Sequence, residues 1–539
     1  MKKSILAVGA AAVVGGLGFA GSAHAIAVFG QDPALAPGQP AQAQYLAQTN
    51  GSIGHMLFTP YYTAQGTMAT LFNITNTDRT NGKAVKGRFR GAANSDDVLD
   101  FTLFLSPGDV WTGQVTQDAA TGHAVVSTPD KSCTIPVAAA WPGVFKTGRL
   151  APYLSAEVAA SNTREGYIEV LNMADIPPST VKGSLFVGIK HVNGVAPCDL
   201  IPYDDVQSTE VVDPSSGNLH GLAAPSGGLM GSWAVFNQAQ LAVYSGNQTA
   251  LVATPSGGTD ETLTVQHGVG KIAFAPQIEE AVNNQAFVDA NTADPLLRTG
   301  STSGITPRWY DLPDMSTPLA NNYADAVAQT KELALTLQKN AIYNDYVATV
   351  AGAPVPMETD WVVSQPTRRY HAAVNYGSSA ATSKIEYTVA SGSATAPASG
   401  NPYAGLSLNK PLPNGPQACL SVAFSSVDRE EKFQTLGGGF SPGLTQPYCG
   451  EVFTVSFNGV SPLQASLTNR TVAPVGEAGW ARLQISNNVY APIVGFAATS
   501  MKNQATGGNF GLSLPHRWYG GRPVSPLLPA PRPPPGGAP

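Results

Sequence analysis

The sequence predicts a mainly β protein made of multiple immunoglobulin-like β-sandwich units with one helix-bearing segment, and three observations lead there. The first is apolar alternation. In MATLFNITNT (68–77) Phe72 and Ile74 share one side of a pleat, in DFTLFLS (100–106) Phe101, Leu103 and Leu105 turn inward, and AVKGRFRG (84–91) turns Lys86, Arg88 and Arg90 outward. The second is turn chemistry: DRTNGK (78–83) carries an Asn-Gly pair suited to positive φ in a tight hairpin, and SPGD (106–109) sets Pro and Gly before the sheet resumes at Val110 and Trp111. The third is composition. Of 539 residues, 56 are Gly, 43 are Pro and only 12% are charged, against about 25% in an average domain. Polarity rests on neutral amides and hydroxyls, which cost less to bury than ions and so favour protein–protein packing.

Taken in order, residues 1–25 read as a signal peptide: Lys2 and Lys3, an apolar run, then Ala-His-Ala at 23–25. Its removal takes the formal charge from −6 to −8 through the two lysines. A mildly acidic mature chain makes nucleic acid a poor partner. No later stretch reaches the ~18 apolar residues of a membrane helix. Residues 26–53, rich in Ala, Gln and Pro, form an extended arm that either exchanges between subunits or drapes over its own domain. Residues 54–270 hold the N-terminal sandwich units, with further strands in GYIEVLNMADI (166–176), SLFVGIKHV (184–192) and GSWAVFNQAQLAVYSG (231–246).

Residues 271–352 differ. Thr317 and Pro318 supply an N-cap and a first-turn proline, and Leu319, Tyr323, Val327, Thr330, Ala334, Leu337 and Ala341 recur at helical spacing, with Asp325, Lys331, Glu332 and Lys339 on the wet side. Strands return in a C-terminal β unit, 353–519, where Trp361 and Val363 share a pleat face and DREEK (428–432) reads as a solvated turn. The last stretch, 520–539, reads as a Pro-rich flexible tail, extended and unable to form a core.

Four cysteines in an oxidising compartment pair as sequence neighbours, Cys133 with Cys198 and Cys419 with Cys449, each stapling one half of the chain. Zinc fails on spacing, since no C-x2-C pair is present. The best hard-cation candidate is NSDDVLD (94–100), in which Asp96 and Asp97 are placed to offer oxygen ligands to calcium, against the simpler reading of solvated loop carboxylates. Asp204 with Asp205, and Asp289 with Asp294, are weaker forms of the same idea, and Tyr61 and Tyr62 serve either sugar stacking or the core. Histidines of the mature chain, at 55, 123, 191, 220, 267, 371 and 516, are scattered, and no HExxH motif occurs. No catalytic residue is assigned.

The ordered set NSDDVLDFTLFLSPGDVW, GYIEVLNM, the helix leading into IYNDYV, TDWVVSQPTRRYH, VDREE and CGEVFTVSFNG, spanning roughly 54–517, resembles secreted cell-surface proteins of Gram-negative bacteria of the surface-layer type. Gln365 and the Pro-rich tail depart from that pattern. The resemblance implies a β-rich coat protein outside the outer membrane that associates with itself, and with an outer-membrane component or lipopolysaccharide; it transfers no catalytic residue. The alternatives are a secreted adhesin or glycan-binding module, and a secreted hydrolase.

Overall fold

The protein is described from a computed structural model covering residues 45–49, 52–135, 143–198, 211–212, 221–223, 225–254, 272–273, 314–316, 326–349, 352–388, 403, 405–410, 413–435, 445–485, 491–503 and 507–519. The signal peptide, most of the arm, the expected helix cap at Thr317 and Pro318, Asp204, Asp205, Asp289, Asp294 and the tail 520–539 lie outside these residues.

Two β-sandwiches make up most of the described residues. In the first, sheet 1 is built on Met68–Asn76, flanked by Val110–Gln117 on one side and by Ser232–Asn237 with Ala242–Asn247 on the other. Sheet 2 runs in spatial order Tyr45–Gln48, Thr249–Thr254, Met56–Thr63, Glu165–Ile176, Gly82–Gly91, Asp97–Leu105 and Cys133–Ile135. The described end of the arm therefore closes one edge of its own sandwich. Aromatic contacts between the sheets, edge-on for Phe72 with Phe89 and tilted for Trp111 with Phe101, fill the space between them.

In the second sandwich, sheet 3 runs Asn469–Val472, Val452–Phe457, Met357–Ser364, Val494–Asn503 and Gly508–Pro515. Sheet 4 runs Ser407–Asn409, Gln417–Asp428, Ala478–Ile485, Ala341–Val347 and Arg517–Tyr519, with Phe433–Thr435 and Gln446–Cys449 also paired to Gln417–Asp428. Trp361 and Val363 do share a face, buried with Phe424, Phe457 and Leu483. The opposite face of sheet 3, through Val362, Val494, Phe496 and Ala498, joins the same apolar cluster as Met56 and Phe58 of sheet 2. One continuous core thus links both sandwiches.

Several sequence expectations change. The connector at 78–81 is not a hairpin: it carries the chain from sheet 1 to sheet 2, and neither Asn81 nor Gly82 has positive φ. Gly82 answers a packing need instead, because a Cβ there would lie 2.5 Å from Ile189 Cδ1 and 2.9 Å from the Leu105 carbonyl oxygen. SPGD behaves as read, with Gly108 at φ +76°, although it too crosses between sheets. SLFVGIKHV forms the helix Leu185–Ile189 rather than a strand, since the Ser184 hydroxyl caps it by accepting from Val187 N–H.

The long helix is Ala326–Leu337. It stops where Gln338–Lys339 pairs with Ala491–Pro492, so Ala341 opens a strand in the middle of sheet 4 and the second sandwich takes a strand from the expected helical segment. Lys331 is exposed, but Glu332 and Lys339 are buried, because the helix is covered on more than one side by the arm strand and by Ala491–Pro492. DREEK is the exposed turn expected of it, held by Asp428 accepting from Glu430 and Lys432 N–H.

Candidate functional site

Lys86, Arg88 and Arg90 were expected to point to water; all are buried. The strands Gly82–Gly91, Asp97–Leu105 and Glu165–Ile176 are covered on both faces. One face meets sheet 1. On the other, Arg90 forms a fork to Glu169, with Nε and Nη2 each 3.0 Å from Oε2, and its Nη1 lies 2.9 Å from Asp97. Arg88 stands 3.5 Å from Asp100 and Arg149 3.8 Å from Asp97.

The second sandwich supplies matching groups from the short helix Arg368–Tyr370. Arg368 pairs with Glu451 and donates to the Gly450 and Ala93 carbonyls, Arg369 faces Asp314, and the Tyr370 hydroxyl donates to Glu169. The ion pairs Arg90–Glu169 and Arg368–Glu451 each lie within one sandwich, and the bonds from Tyr370 to Glu169 and from Arg368 to the Ala93 carbonyl cross the buried junction, where one unpaired charge would be very costly. Backbone bonds lock the same region: Glu451 and Val452 N–H both donate to the Ala92 carbonyl, and Glu165 accepts from Ser466 and Leu467 N–H.

Burial would raise the Asp97 carboxyl, but Arg90, Arg88 and Arg149 outweigh it and hold Asp97 below the ordinary aspartate range. Asp96 goes the other way: burial, only partly opposed by the bond from Tyr376, lifts it to about 7. Both aspartates considered for calcium are buried rather than solvated: Asp96 accepts from Tyr376, while Asp97 lies among arginines. Among the described residues no three His, Cys, Asp or Glu side chains cluster as metal ligands.

The cysteines pair as read from the sequence. Cys133–Cys198 ties the edge of sheet 2 to the segment after helix Leu185–Ile189, and Cys419–Cys449 joins directly opposed residues of sheet 4. Tyr61 and Tyr62 are core residues with no exposed surface, bonded to Glu165 and to the Thr163 carbonyl. His55, His371 and His516 are buried; His516 Nε2 donates to the Val362 carbonyl, and burial lowers its pKa to about 4.

The accessible surfaces include a seam and a cleft. The first is a seam along the open side of the second sandwich. Phe510 and Leu512 sit on the last strand of sheet 3, opposite Met501 and Thr499, and Trp518 sits on the last strand of sheet 4, opposite Ile342. Register places all three on the inward-turned faces of their sheets, yet they are 58%, 44% and 51% exposed, because among the described residues no further strand covers this side. Lys339 Nζ lies 4.7 Å from the Trp518 ring centre.

The second is a cleft of about 430 Å³ where the two sandwiches meet. Gln48, Thr49, Ser232, Asn247 and Gln248 line it from one sandwich and Phe496, Ser513 and Pro515 from the other, and no lining residue is charged. Trp233 packs on Phe496 at 4.3 Å and roofs the floor of the cleft.

The sequence did not lead to the junction, although it held a signal. Arg88 is opposite both Asp100 and Glu169, and Arg90 opposite Asp97, so the charges of three strands alternate in a register that makes cross-strand pairs. No protein-family model, curated protein or solved structure matches the chain. No helix among the described residues is long and apolar enough to cross a membrane, and the two disulfides fit an oxidising, extracytoplasmic compartment.

Proposed function

We propose that the protein is a structural subunit of a bacterial cell-surface assembly of the surface-layer or coat type, associating with further copies of itself. The observation that carries this reading is the junction: buried hydrogen bonds and a shared core join the two sandwiches, as a subunit of a rigid coat requires, while the apolar seam at Phe510, Leu512 and Trp518 supplies a contact. Association through such a seam is apolar, so it persists in ~0.5 M salt, where the Debye length is only about 4–5 Å. Sedimentation of the purified full chain in low and high salt, with electron microscopy of untreated cell envelopes, tests it. Salt-resistant oligomers and an ordered lattice are expected; a monomer at every concentration and a bare envelope refute the reading.

A second reading, glycan binding, is favoured by the uncharged cleft, whose hydroxyl and amide rim over an apolar floor suits a neutral polyhydroxylated ligand. Glycan-array binding that is lost in Asn247→Ala and Ser513→Ala supports it; an empty array removes it.

A further inference from the structure

The outer face of sheet 4, opposite its buried core, carries an aromatic row that packs against nothing in the described structure. Phe433, Val427, Trp480 and Asp345 lie directly opposite one another on four neighbouring strands. Phe433 is 64% and Trp480 44% exposed. Beside the row, Arg482 donates to the Tyr343 hydroxyl and lies over that ring, which itself sits 6.3 Å from Trp480. Two strand spacings separate Phe433 from Trp480, so their backbones stand about 9.6 Å apart across the sheet.

The chain leaves sheet 4 at its edge strand Arg517–Tyr519 and continues into GGRPVSPLLPAPRPPPGGAP, residues 520–539. Within it Pro523, Pro526, Pro529 and Pro535 recur at multiples of three, with Arg532 in the remaining place. A polyproline II helix has three residues per turn and a 3.1 Å rise, so such a stripe presents one proline every ~9.3 Å along a single face. That repeat matches the spacing of two strands. Aromatic rings on a firm surface are the established physical partner of a proline stripe, because the preformed helix loses little entropy on docking.

We propose that the chain's own segment 520–539 lies across the outer face of sheet 4, perpendicular to its strands, with the three-residue proline repeat seated on Trp480 and Phe433. Reach permits it. The face is four strand spacings wide from the edge strand to Phe433–Thr435, about 19 Å, and twenty residues of polyproline II extend about 62 Å. The segment holds Arg522 and Arg532 and no acid, and the row ends in Asp345, whose side chain is 58% exposed and already 3.4 Å from Arg517.

The test places the photoreactive amino acid p-benzoylphenylalanine at Leu527 in the full chain and maps the cross-links by mass spectrometry at low protein concentration. Links within one chain to the 425–435 and 478–485 strands are expected. They should vanish in Phe433→Ser/Trp480→Ser, and equally in a shuffled tail of identical composition whose prolines no longer fall at every third residue. The shuffle lies beyond the sandwich, so it decides the question even if the sheet variant fails to fold. Cross-links to the 508–519 seam, products that survive the shuffle, or links formed only between two chains would each overturn the proposal.

Discussion

The strands Gly82–Gly91 and Ala478–Ile485 invite comparison, because each lies inside a seven-stranded sheet and each alternates apolar residues with arginine. In the second, Trp480 and Arg482 face water, and every other residue from Ala481 to Ile485 is buried. In the first, nothing is wet: Arg88 and Arg90 are as buried as Val85 and Phe89, since a second sandwich covers the arginine face. Alternation therefore tells which residues share a face. It does not tell what that face meets, which depends on residues hundreds of positions away, such as Arg368 and Glu451.

The strongest way to break the comparison is to remove one arginine from each strand. Arg90→Met leaves Glu169 and Asp97 undercompensated in a dry junction and should cost about 3–5 kcal/mol. Arg482→Met, half-exposed, should change stability by no more than about 0.5–1 kcal/mol. Denaturant unfolding of both variants beside the parent measures this. Equal losses would mean that the junction is wetter than its geometry indicates.

How much the sequence showed follows the same division. The strands at 68–76, 97–105, 165–176 and 452–457, the β character of 231–246 and both disulfides were legible, because each rests on local periodicity or on cysteine count. The helix Leu185–Ile189 was not, since five apolar residues carry too little periodicity to separate helix from strand and the decisive signal was the cap at Ser184. The junction was hidden for a different reason. Lys86, Arg88 and Arg90 look like an ordinary solvated face until TRRYH, nearly three hundred residues later, is folded onto them.

The two disulfides sharpen the comparison of the two sandwiches at a similar scale. In the loop-closure picture the 65-residue separation of Cys133–Cys198 corresponds to about 4.3 kcal/mol and the 30-residue separation of Cys419–Cys449 to about 3.6 kcal/mol. Replacing either pair by serine should therefore destabilise by nearly the same amount, despite one bond spanning distant segments and the other two paired strands. Thermal and denaturant melts of the two double variants check it. A much smaller loss at Cys419 and Cys449 would show that the strand pairing already supplies that constraint.

Buried carboxylates on the junction side give a smaller, pH-dependent effect. Asp360 is lifted to about 7 by burial, although the Ser456 and Ser461 hydroxyls and Leu463 N–H oppose the rise. The folded state therefore holds this proton more tightly than the unfolded chain, whose value is near 3.8. The stability that follows is full below about pH 4, falls as pH climbs, and is gone above about 7. The difference in unfolding free energy between the parent and Asp360→Asn should decline across that window, and Asp96→Asn, with the same direction and endpoint, should behave likewise. A difference that stays level from pH 4 to 8 would place both carboxylates in contact with solvent.

The smallest effect on stability should accompany the largest effect on assembly. Phe510→Ser with Leu512→Ser changes side chains that are already about half exposed, so little burial is lost and unfolding should shift by no more than about 0.5 kcal/mol. If the seam is where copies meet, the same change removes the apolar area that holds them, and salt-resistant oligomers should dissociate. Sedimentation at 0.5 M salt separates this from a folding defect, because the melt is recorded on the same sample. Oligomers that persist in the variant would move the contact away from the open side of the second sandwich, and a variant that unfolds would show instead that Phe510 and Leu512 close the sandwich edge rather than offer it to a neighbour.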